Sequence, residues 1–231
     1  MWTAVLQKAI VDLFFPARCL GCSRWGDFIC PECFRQIPRI EPPLCMKCGK
    51  PESSGLLCPS CWGWHSEIEG IRSVFRFEGL IRHCIHQLKY YNLKALSLRL
   101  GDCLAGYLQS NLIPCDVLVP VPLHIKRLKQ RGYNQSGLIA AALGKITNLP
   151  VAANCLCRTR DSAPQAKSAN VEERRQNVAG AFICRNDTLR DGRILLIDDV
   201  CTSGATLEAC AGALKSAGAR SVWGLTIARE I

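Results

Sequence analysis

Two adjacent carboxylates, Asp198 and Asp199, stand between an apolar run and a short loop of small and hydroxyl-bearing residues. The apolar run, residues 194–197, shows no polar alternation and predicts a central strand buried on both faces. After the loop, residues 207–217 keep the apolar spacing of a helix. Backbone N–H groups at a helix N-terminus lack partners, and the helix dipole favours negative charge there. The sequence therefore predicts a phosphate site in this loop. The loop consists of Thr202, Ser203, Gly204, Ala205 and Thr206.

The acidic pair would repel a phosphate in the loop, so it needs a different partner. We expect Asp198 and Asp199 to accept hydrogen bonds from a vicinal diol, which makes a phosphorylated sugar the ligand that satisfies both halves of the site. Gly204 has no side chain to keep a phosphate away, and the neighbouring hydroxyls can donate hydrogen bonds to it. The alternative is a buried strand with an acidic loop and a capped helix that binds no ligand.

Eight cysteines form four C-x-x-C pairs before residue 62, a spacing typical of metal ligands in a reducing compartment. Two such pairs complete the tetrahedral sulfur shell that zinc prefers. We predict two successive structural zinc sites, although an interleaved pairing and iron–sulfur ligation fit the same spacing. The first set is Cys19, Cys22, Cys30 and Cys33, and the second is Cys45, Cys48, Cys58 and Cys61. Trp62 and Trp64 beside the last pair either pack the module against its neighbour or stack on bases.

The rest of the pattern predicts the elements that position these residues. Residues 1–15 have the spacing of an amphipathic N-terminal helix, and residues 16–65 are expected to form the double zinc ribbon. Residues 66–231 alternate strand and helix patterns, which predicts an α/β domain with a mainly parallel sheet and helices on both faces. Strands are predicted at 71–77, 116–121, 179–184, 194–197 and 222–228, and helices at 80–91, 96–108, from 136 and from 207.

Two polar stretches carry further expectations. Residues 124–131 are rich in lysine and arginine and lie between a strand end and a helix start, which suits a second anion. The alternative for this stretch is an ordinary solvated helix face. Residues 159–178 have almost no large apolar residues, and a loop of that length in a compact domain is typical of a lid or a disordered segment.

Composition excludes several classes of protein. The chain has 231 residues, of which 48% are hydrophobic and 21% charged, the balance of a globular protein. No stretch approaches the roughly 20 apolar residues that span a bilayer, and the N-terminus lacks the apolar core and cleavage site of a signal peptide. We therefore expect a cytoplasmic protein without a membrane span. The formal charge is +10, and eight thiolates on two zinc ions lower it to about +6.

The acidic pair and its loop resemble the phosphoribosyl pyrophosphate (PRPP) motif of type I phosphoribosyltransferases at every defining position. With the four C-x-x-C pairs and three further motifs, the chain resembles the ComF (competence protein F) family and its GntX relatives over nearly its whole length. The three motifs are Gln87-Leu88-Lys89-Tyr90, Val119-Pro120-Val121-Pro122-Leu123 and Arg131-Gly132-Tyr133-Asn134-Gln135.

This resemblance implies a double zinc ribbon joined to a type I phosphoribosyltransferase domain that takes magnesium with PRPP. Asp198 and Asp199 would be the catalytic residues and hold the ribose hydroxyls, while the loop 202–206 would hold the 5′-phosphate. The segment 159–178 would close over the substrate. The turn after Val119 matches the pyrophosphate loop but contains no lysine or arginine. The candidates for binding pyrophosphate are Lys89, Arg127 and Arg131.

The resemblance also implies a role in natural transformation, in which the protein handles internalised single-stranded DNA beside a helicase-like competence protein. The first hypothesis is therefore a PRPP-binding, phosphoribosyltransferase-like protein with an unknown acceptor. A second is a non-catalytic DNA-binding adaptor that uses residues 124–131 and the ribbon tryptophans, and a third is a nucleotide-salvage enzyme that turns over a nucleobase. The acidic pair favours the first, because a pure anion binder gains nothing from two carboxylates beside a phosphate.

Overall fold

The computed structural model describes residues 17–64, 66–160, 180–185 and 188–231. Its strands are β1 (Gly70–Arg76), β2 (Val117–Pro120), β3 (Leu156–Arg158), β4 (Phe182–Cys184), β5 (Arg193–Cys201) and β6 (Ser221–Arg229). Its helices are α1 (Pro31–Arg35), α2 (Gly79–Tyr90), α3 (Leu96–Ser110), α4 (Ile125–Arg131), α5 (Gln135–Thr147) and α6 (Ala205–Ser216). None of these helices is both long enough and apolar enough to cross a bilayer. The helix predicted over 1–15 and most of the loop predicted over 159–178 lie outside the described residues.

The central sheet has four parallel strands in the order β1-β6-β5-β2, and helices cover both of its faces. Leu195 and Ile197 of β5 face a core shared with α2, α3 and α5. The alternate residues, Ile194 and Leu196, face a second core shared with α6 and the short strands β3 and β4. These contacts confirm the predicted parallel sheet and the strand buried on both faces, since a strand covered on both sides needs apolar residues at every position.

Two strands differ from the expectation. Strand β5 extends beyond its apolar run, because its pairing with β6 continues from Asp198 opposite Thr226 to Cys201 opposite Arg229. The acidic pair therefore lies inside the carboxyl half of the strand and not after it. The segment predicted as a strand over 179–184 forms β4, which pairs antiparallel with β3 and lies outside the central sheet.

The cysteine-rich part of the chain covers the outer edge of the central sheet. The backbone N–H of Ile71 in β1 donates to the Lys47 carbonyl at 2.8 Å, and the N–H of Ile40 donates to the Val74 carbonyl at 3.1 Å. Arg39 and Phe75 form an antiparallel bridge next to the second of these contacts. Edge strands present unpaired backbone groups, so this pairing satisfies groups of β1 that would otherwise face solvent.

Candidate functional site

The acidic pair is held by side chains of α2 and α5, two helices that are distant from it along the sequence. The Ser136 hydroxyl at the start of α5 donates to Asp198 Oδ1 at 2.8 Å, and the Gln135 amide donates to Asp199 Oδ1 at 3.3 Å. Lys89 Nζ, in the last turn of α2, lies 2.5 Å from Asp199 Oδ2. Each carboxylate thus has its own fixed partner at the carboxyl end of the sheet.

The start of α5 is placed there by a cap. Asn134 precedes the helix, accepts a hydrogen bond from the Ser136 backbone N–H at 3.1 Å and donates to the Val121 carbonyl at 3.0 Å. Because Val121 directly follows β2, this cap fixes the first turn of α5 at the carboxyl end of that strand. Gly132 ends the preceding helix α4 in the left-handed conformation, with φ 78°. The motif 131–135 therefore ends one helix and begins the next at the site.

The two carboxyl groups are shifted in opposite directions. Burial, together with the neighbouring charge of Asp199, raises the pKa of Asp198 above its ordinary value. Burial also opposes ionisation of Asp199, but the charge of Lys89 outweighs it and holds the pKa of Asp199 below its ordinary value. Near neutral pH the pair therefore has one firmly ionised carboxylate beside one that titrates.

The predicted phosphate loop follows directly after β5. Gly204 stands immediately before α6 with φ 83°, in the left-handed region, and a Cβ at this position would lie 2.9 Å from Ile71 Cδ1. Both facts require glycine here. The Ser203 hydroxyl accepts a hydrogen bond from the Ala205 N–H at 3.4 Å, which opens the 12-residue helix α6. Thr202, Ser203 and Thr206 are half-buried, with Gly204 and Ala205 buried between them.

The three candidate pyrophosphate ligands meet in one pocket. Its volume is about 560 Å³, and it lies between the end of α2 and the helix α4. Its lining residues are Lys89, Tyr90, Asn92, Arg127, Gln130, Arg131 and Tyr133. Since Lys89 also pairs with Asp199, the pocket is continuous with the acidic pair. Part of the basic stretch 124–131, which follows β2, therefore lines the site.

Exposed aromatic rings lie at the rim of this pocket. Tyr90 and Tyr91 have 65% and 64% of their surface exposed. The ring of His86 lies 4.6 Å from that of Tyr90 and 5.7 Å from that of Tyr91, and the Arg131 guanidinium lies 5.5 Å from the Tyr90 ring. Rings of this kind offer flat faces for a base to stack on.

Sequence reasoning missed Gln135 and Ser136 as partners of the acidic pair. The sequence showed that both stand at a helix start that follows a strand and a basic stretch, but it did not show their contact with the acidic pair. The pocket-lining Tyr133 was quoted only as part of a motif. Its hydroxyl donates to the Leu88 carbonyl and so ties the start of α5 to α2.

The cysteines form two separate tetrads, in the sequential pairing. Within each tetrad the sulfur atoms all lie within 4.8 Å of one another. The Cys22–Cys30 and Cys48–Cys58 sulfur distances are both 3.7 Å. Four thiolates around a tetrahedral zinc at a Zn–S distance of about 2.3 Å would stand roughly 3.8 Å apart, so the tetrads fit zinc as they are. With four sulfur ligands each, both sites are structural.

Backbone donors prepare these tetrads for metal. Burial opposes ionisation of Cys19 and Cys45, but backbone N–H groups aimed at each sulfur outweigh it and lower the pKa of both thiols to about 6. The tetrads differ in exposure, because Cys22 is exposed whereas all four cysteines of the second tetrad are buried. Of the two ribbon tryptophans, Trp64 packs on the second tetrad and Trp62 is 82% exposed.

Comparisons with known proteins agree with this arrangement. A model of the double zinc ribbon domain matches residues 10–63. Competence protein ComFC of Bacillus subtilis strain 168 is 27% identical over 223 residues, which cover 92% of this chain and 89% of that protein. DNA utilization protein YhgH of Escherichia coli O157:H7 is 31% identical over 210 residues, which cover 88% of this chain and 90% of that protein.

Among solved structures, glutamine phosphoribosylpyrophosphate amidotransferase from B. subtilis matches 58% of this chain and 26% of its own, at 20% identity and a TM-score of 0.40. The sequence similarity to the competence and DNA utilization proteins extends over almost the whole length of this chain and of each of those proteins. The chain therefore belongs to the family of competence protein F and DNA utilization protein YhgH.

Proposed function

We propose that this protein binds PRPP, or a closely related sugar phosphate, with Mg²⁺ at the carboxyl ends of β2 and β5, and that it serves DNA uptake or utilization in the cytoplasm. The proposal assigns residues 16–65 to the ribbon and residues 66–231 to the sugar-phosphate domain. The observation that carries it is the acidic pair, half-buried at Asp198 and buried at Asp199. This pair lies between a glycine-dependent loop at a helix start and a pocket to which three basic residues contribute.

Each part of the arrangement suits one part of the ligand. The loop 202–206 would hold the 5′-phosphate through its backbone N–H groups, while Asp198 and Asp199 would accept hydrogen bonds from the ribose hydroxyls. The basic pocket would hold the pyrophosphate, since Lys89, Arg127 and Arg131 all line it. The loop and the basic pocket are thus two separate anion sites, one on each side of the carboxylates that would accept from the diol. This arrangement matches a sugar with phosphate groups at both ends.

The chemistry that follows is displacement at C1 of the ribose. The bond to the pyrophosphate oxygen breaks, and a bond to the acceptor forms. The chain's own residues would fix the sugar and neutralise charge on the departing pyrophosphate. Carboxylate oxygens are ligands that Mg²⁺ takes alongside substrate phosphates. Among the described residues, Asp198 accepts hydrogen bonds only at Oδ1, which leaves its Oδ2 for the metal, whereas Asp199 Oδ2 is held by Lys89. Bound Mg²⁺ would supply further neutralisation of the leaving group.

Calorimetric titration of PRPP with Mg²⁺ tests the binding. Wild-type protein should bind, and Asp198→Asn/Asp199→Asn should lose binding. Asp116→Asn is the matched control, because that carboxylate forms an exposed ion pair with Arg193 at 2.6 Å, at the opposite, amino end of β5. Absence of binding by a wild-type protein that holds its zinc would overturn the proposal.

A second candidate function, binding of single-stranded DNA, is supported by the aromatic rim of the same pocket. Tyr90 and Tyr91 are exposed, and Tyr90 lines the pocket together with Arg127 and Arg131. A basic groove with stacking rings is the usual means of binding a single strand without sequence preference. The same surface would bring an acceptor carried by a nucleic acid to the sugar phosphate, so the two functions are compatible.

Fluorescence anisotropy of a labelled oligothymidylate tests this second function. Affinity should fall with salt, because phosphate contacts release counterions, and Tyr90→Ala/Tyr91→Ala should weaken binding. Trp62→Ala is the comparison variant, since that ring is 82% exposed but lies on the ribbon. A loss with Trp62→Ala alone would transfer the DNA site to the ribbon, and binding that ignores salt would contradict a phosphate-based site.

A further inference from the structure

Arg229 is the largest fully buried side chain in the described part of the protein, with 1% of its surface exposed. It stands at the carboxyl end of β6, and its Nη1 donates to the Cys48 carbonyl of the second tetrad. Its Nε has no hydrogen-bond partner among the described residues. A buried guanidinium is costly unless a negative group compensates it. Four thiolates on one Zn²⁺ carry a net charge of about −2, so the metal-bound second tetrad supplies that group.

Arg229 is joined to the phosphate loop through one strand pairing. Cys201 is opposite Arg229 in the sheet, and the Glu230 N–H donates to the Cys201 carbonyl at 3.0 Å. Cys201 is the last residue of β5, so the next residue, Thr202, begins the loop. A displacement of Arg229 therefore acts on the strand end from which the loop leaves.

A second line of contact leads from the same tetrad to the loop through Ile71. Gly49, directly after Cys48, has φ 71°, and a Cβ there would overlap the Ile71 carbonyl oxygen. The Ile71 N–H donates to the Lys47 carbonyl at 2.8 Å. The side chain of Ile71 reaches the loop, where its terminal Cδ1 packs directly against Gly204. One residue thus touches the metal-binding turn with its backbone and the loop with its side chain.

The first tetrad has different neighbours. Gly21, between Cys19 and Cys22, is packed so closely against Leu80 at the start of α2 that a Cβ would lie 3.1 Å from Leu80 Cδ2. Ile29 and Ile37 of the same region join the core shared with α2 and α3. These contacts lie on the face of the sheet that α2 and α3 cover. The helix α6 and the loop that precedes it lie on the other face.

We propose that the second tetrad is a support of the phosphate loop, and that zinc there, but not in the first tetrad, sets the affinity for sugar phosphate through Arg229 and Ile71. This inference rests on the proposed function for its ligand. It assigns Arg229 as a positioning residue, which acts through the strand end and need not touch the substrate. The family ribbon is thereby part of the sugar-phosphate site and not only an appended module.

The test compares Cys48→Ser with Cys22→Ser, each assayed for zinc content and for PRPP affinity by calorimetry. Cys48→Ser should lower PRPP affinity by about tenfold or more, as losses in the support of a ligand site commonly do, and Cys22→Ser should leave it unchanged. Equal effects of the two variants, or none from Cys48→Ser, would overturn the inference.

Because loss of a zinc ligand also impairs folding of the ribbon, Arg229→Met provides a variant that leaves all eight cysteines in place. Hydrogen exchange of the backbone amides of residues 201–206 should become faster in this variant while it still holds two zinc ions, and Arg229→Lys should recover part of the protection. Unchanged exchange in Arg229→Met would refute the link. Hydrogen exchange requires no PRPP, so it tests the link between Arg229 and the loop independently of the proposed function. A wild-type protein that fails to bind PRPP would contradict the proposed function, and the exchange rates in Arg229→Met would still decide whether the link exists.

Discussion

Lys89 and Asp199 form an ion pair of 2.5 Å that joins the last turn of α2 to the carboxyl half of β5. Asp199 is almost wholly buried, and Lys89 is its cation in the described structure. The pair therefore has two roles in the proposed site. It keeps one carboxylate ionised within the fold, and it holds a lysine at the point where the acidic pair meets the basic pocket.

Removal of Lys89 should destabilise the fold. Lys89→Met leaves the Asp199 carboxylate buried without its cation, which should lower the free energy of unfolding by about 3 kcal/mol in urea denaturation. The double variant Lys89→Met/Asp199→Asn should recover most of that loss, because it removes the uncompensated charge. Lys145→Met, on the exposed side of α5, is the control and should change stability little. A double variant no better than the single one would show that packing and not charge is responsible.

The raised pKa of Asp198 gives stability and ligand binding opposite dependences on pH. Its protonated form stabilises the fold, so this contribution is complete below the ordinary carboxyl pKa of about 4 and is lost as pH rises through about 7. Between those values the wild type should lose stability relative to Asp198→Asn. Denaturant midpoints of both proteins at about pH 5 and about pH 8 measure this, and parallel midpoints would contradict it. PRPP affinity of the wild type should rise over the same interval, since a diol needs the ionised acceptor.

Substitution of Gly204 should lower stability through two effects, backbone strain and a steric clash with Ile71. Gly204→Ala places a Cβ in the left-handed conformation and 2.9 Å from Ile71 Cδ1. We expect a loss of about 2 kcal/mol in unfolding free energy, together with loss of PRPP binding. Gly63→Ala is the matched control, because its φ of 73° is similar but no atom lies within 4 Å of its Cβ position. It should cost about 1 kcal/mol and leave PRPP binding intact. Equal losses would mean that the contact with Ile71 is unimportant.

The two zinc ions should leave at different rates. A chelator reaches the first tetrad through the exposed Cys22, whereas the second tetrad is buried throughout. Zinc release followed with a colorimetric chelator should therefore have two phases of equal amplitude, and Cys22→Ser should accelerate or remove only the fast one. A single phase that accounts for both ions would contradict the difference in accessibility.

The sequence predicted those parts of the site whose residues are neighbours along the chain. Asp198, the loop 202–206 and the cysteine tetrads were all named as candidates because each depends on local spacing. Gln135 and Ser136 were not identified as partners of the acidic pair, since Ser136 lies 62 residues from the carboxylate that it binds. Such contacts arise from the packing of α5 on the sheet and leave no periodic signal.

Helix α4 was predicted only as an alternative, for a different reason. Residues 124–131 contain so many basic side chains that the stretch was interpreted first as an anion-binding cluster, with an ordinary solvated helix face as the alternative. Ile125 and Leu128 nonetheless repeat at helical spacing, and both line a second cavity of about 300 Å³ on the side away from Arg127. The short strand β4 likewise has the composition of a sheet strand, and only its distant partner β3 shows that it pairs outside the central sheet.

The pairing of β1 with the cysteine-rich part determines what a shortened protein would do. A fragment that begins at residue 66 would keep the whole acidic site but would lose the partners of Ile71, Val74 and Arg76 on the outer side of β1. Open strand edges pair with one another, so such a fragment should self-associate even where its sugar-phosphate residues are unchanged. Assays of PRPP binding by this protein therefore need the ribbon attached, for solubility as well as for the loop.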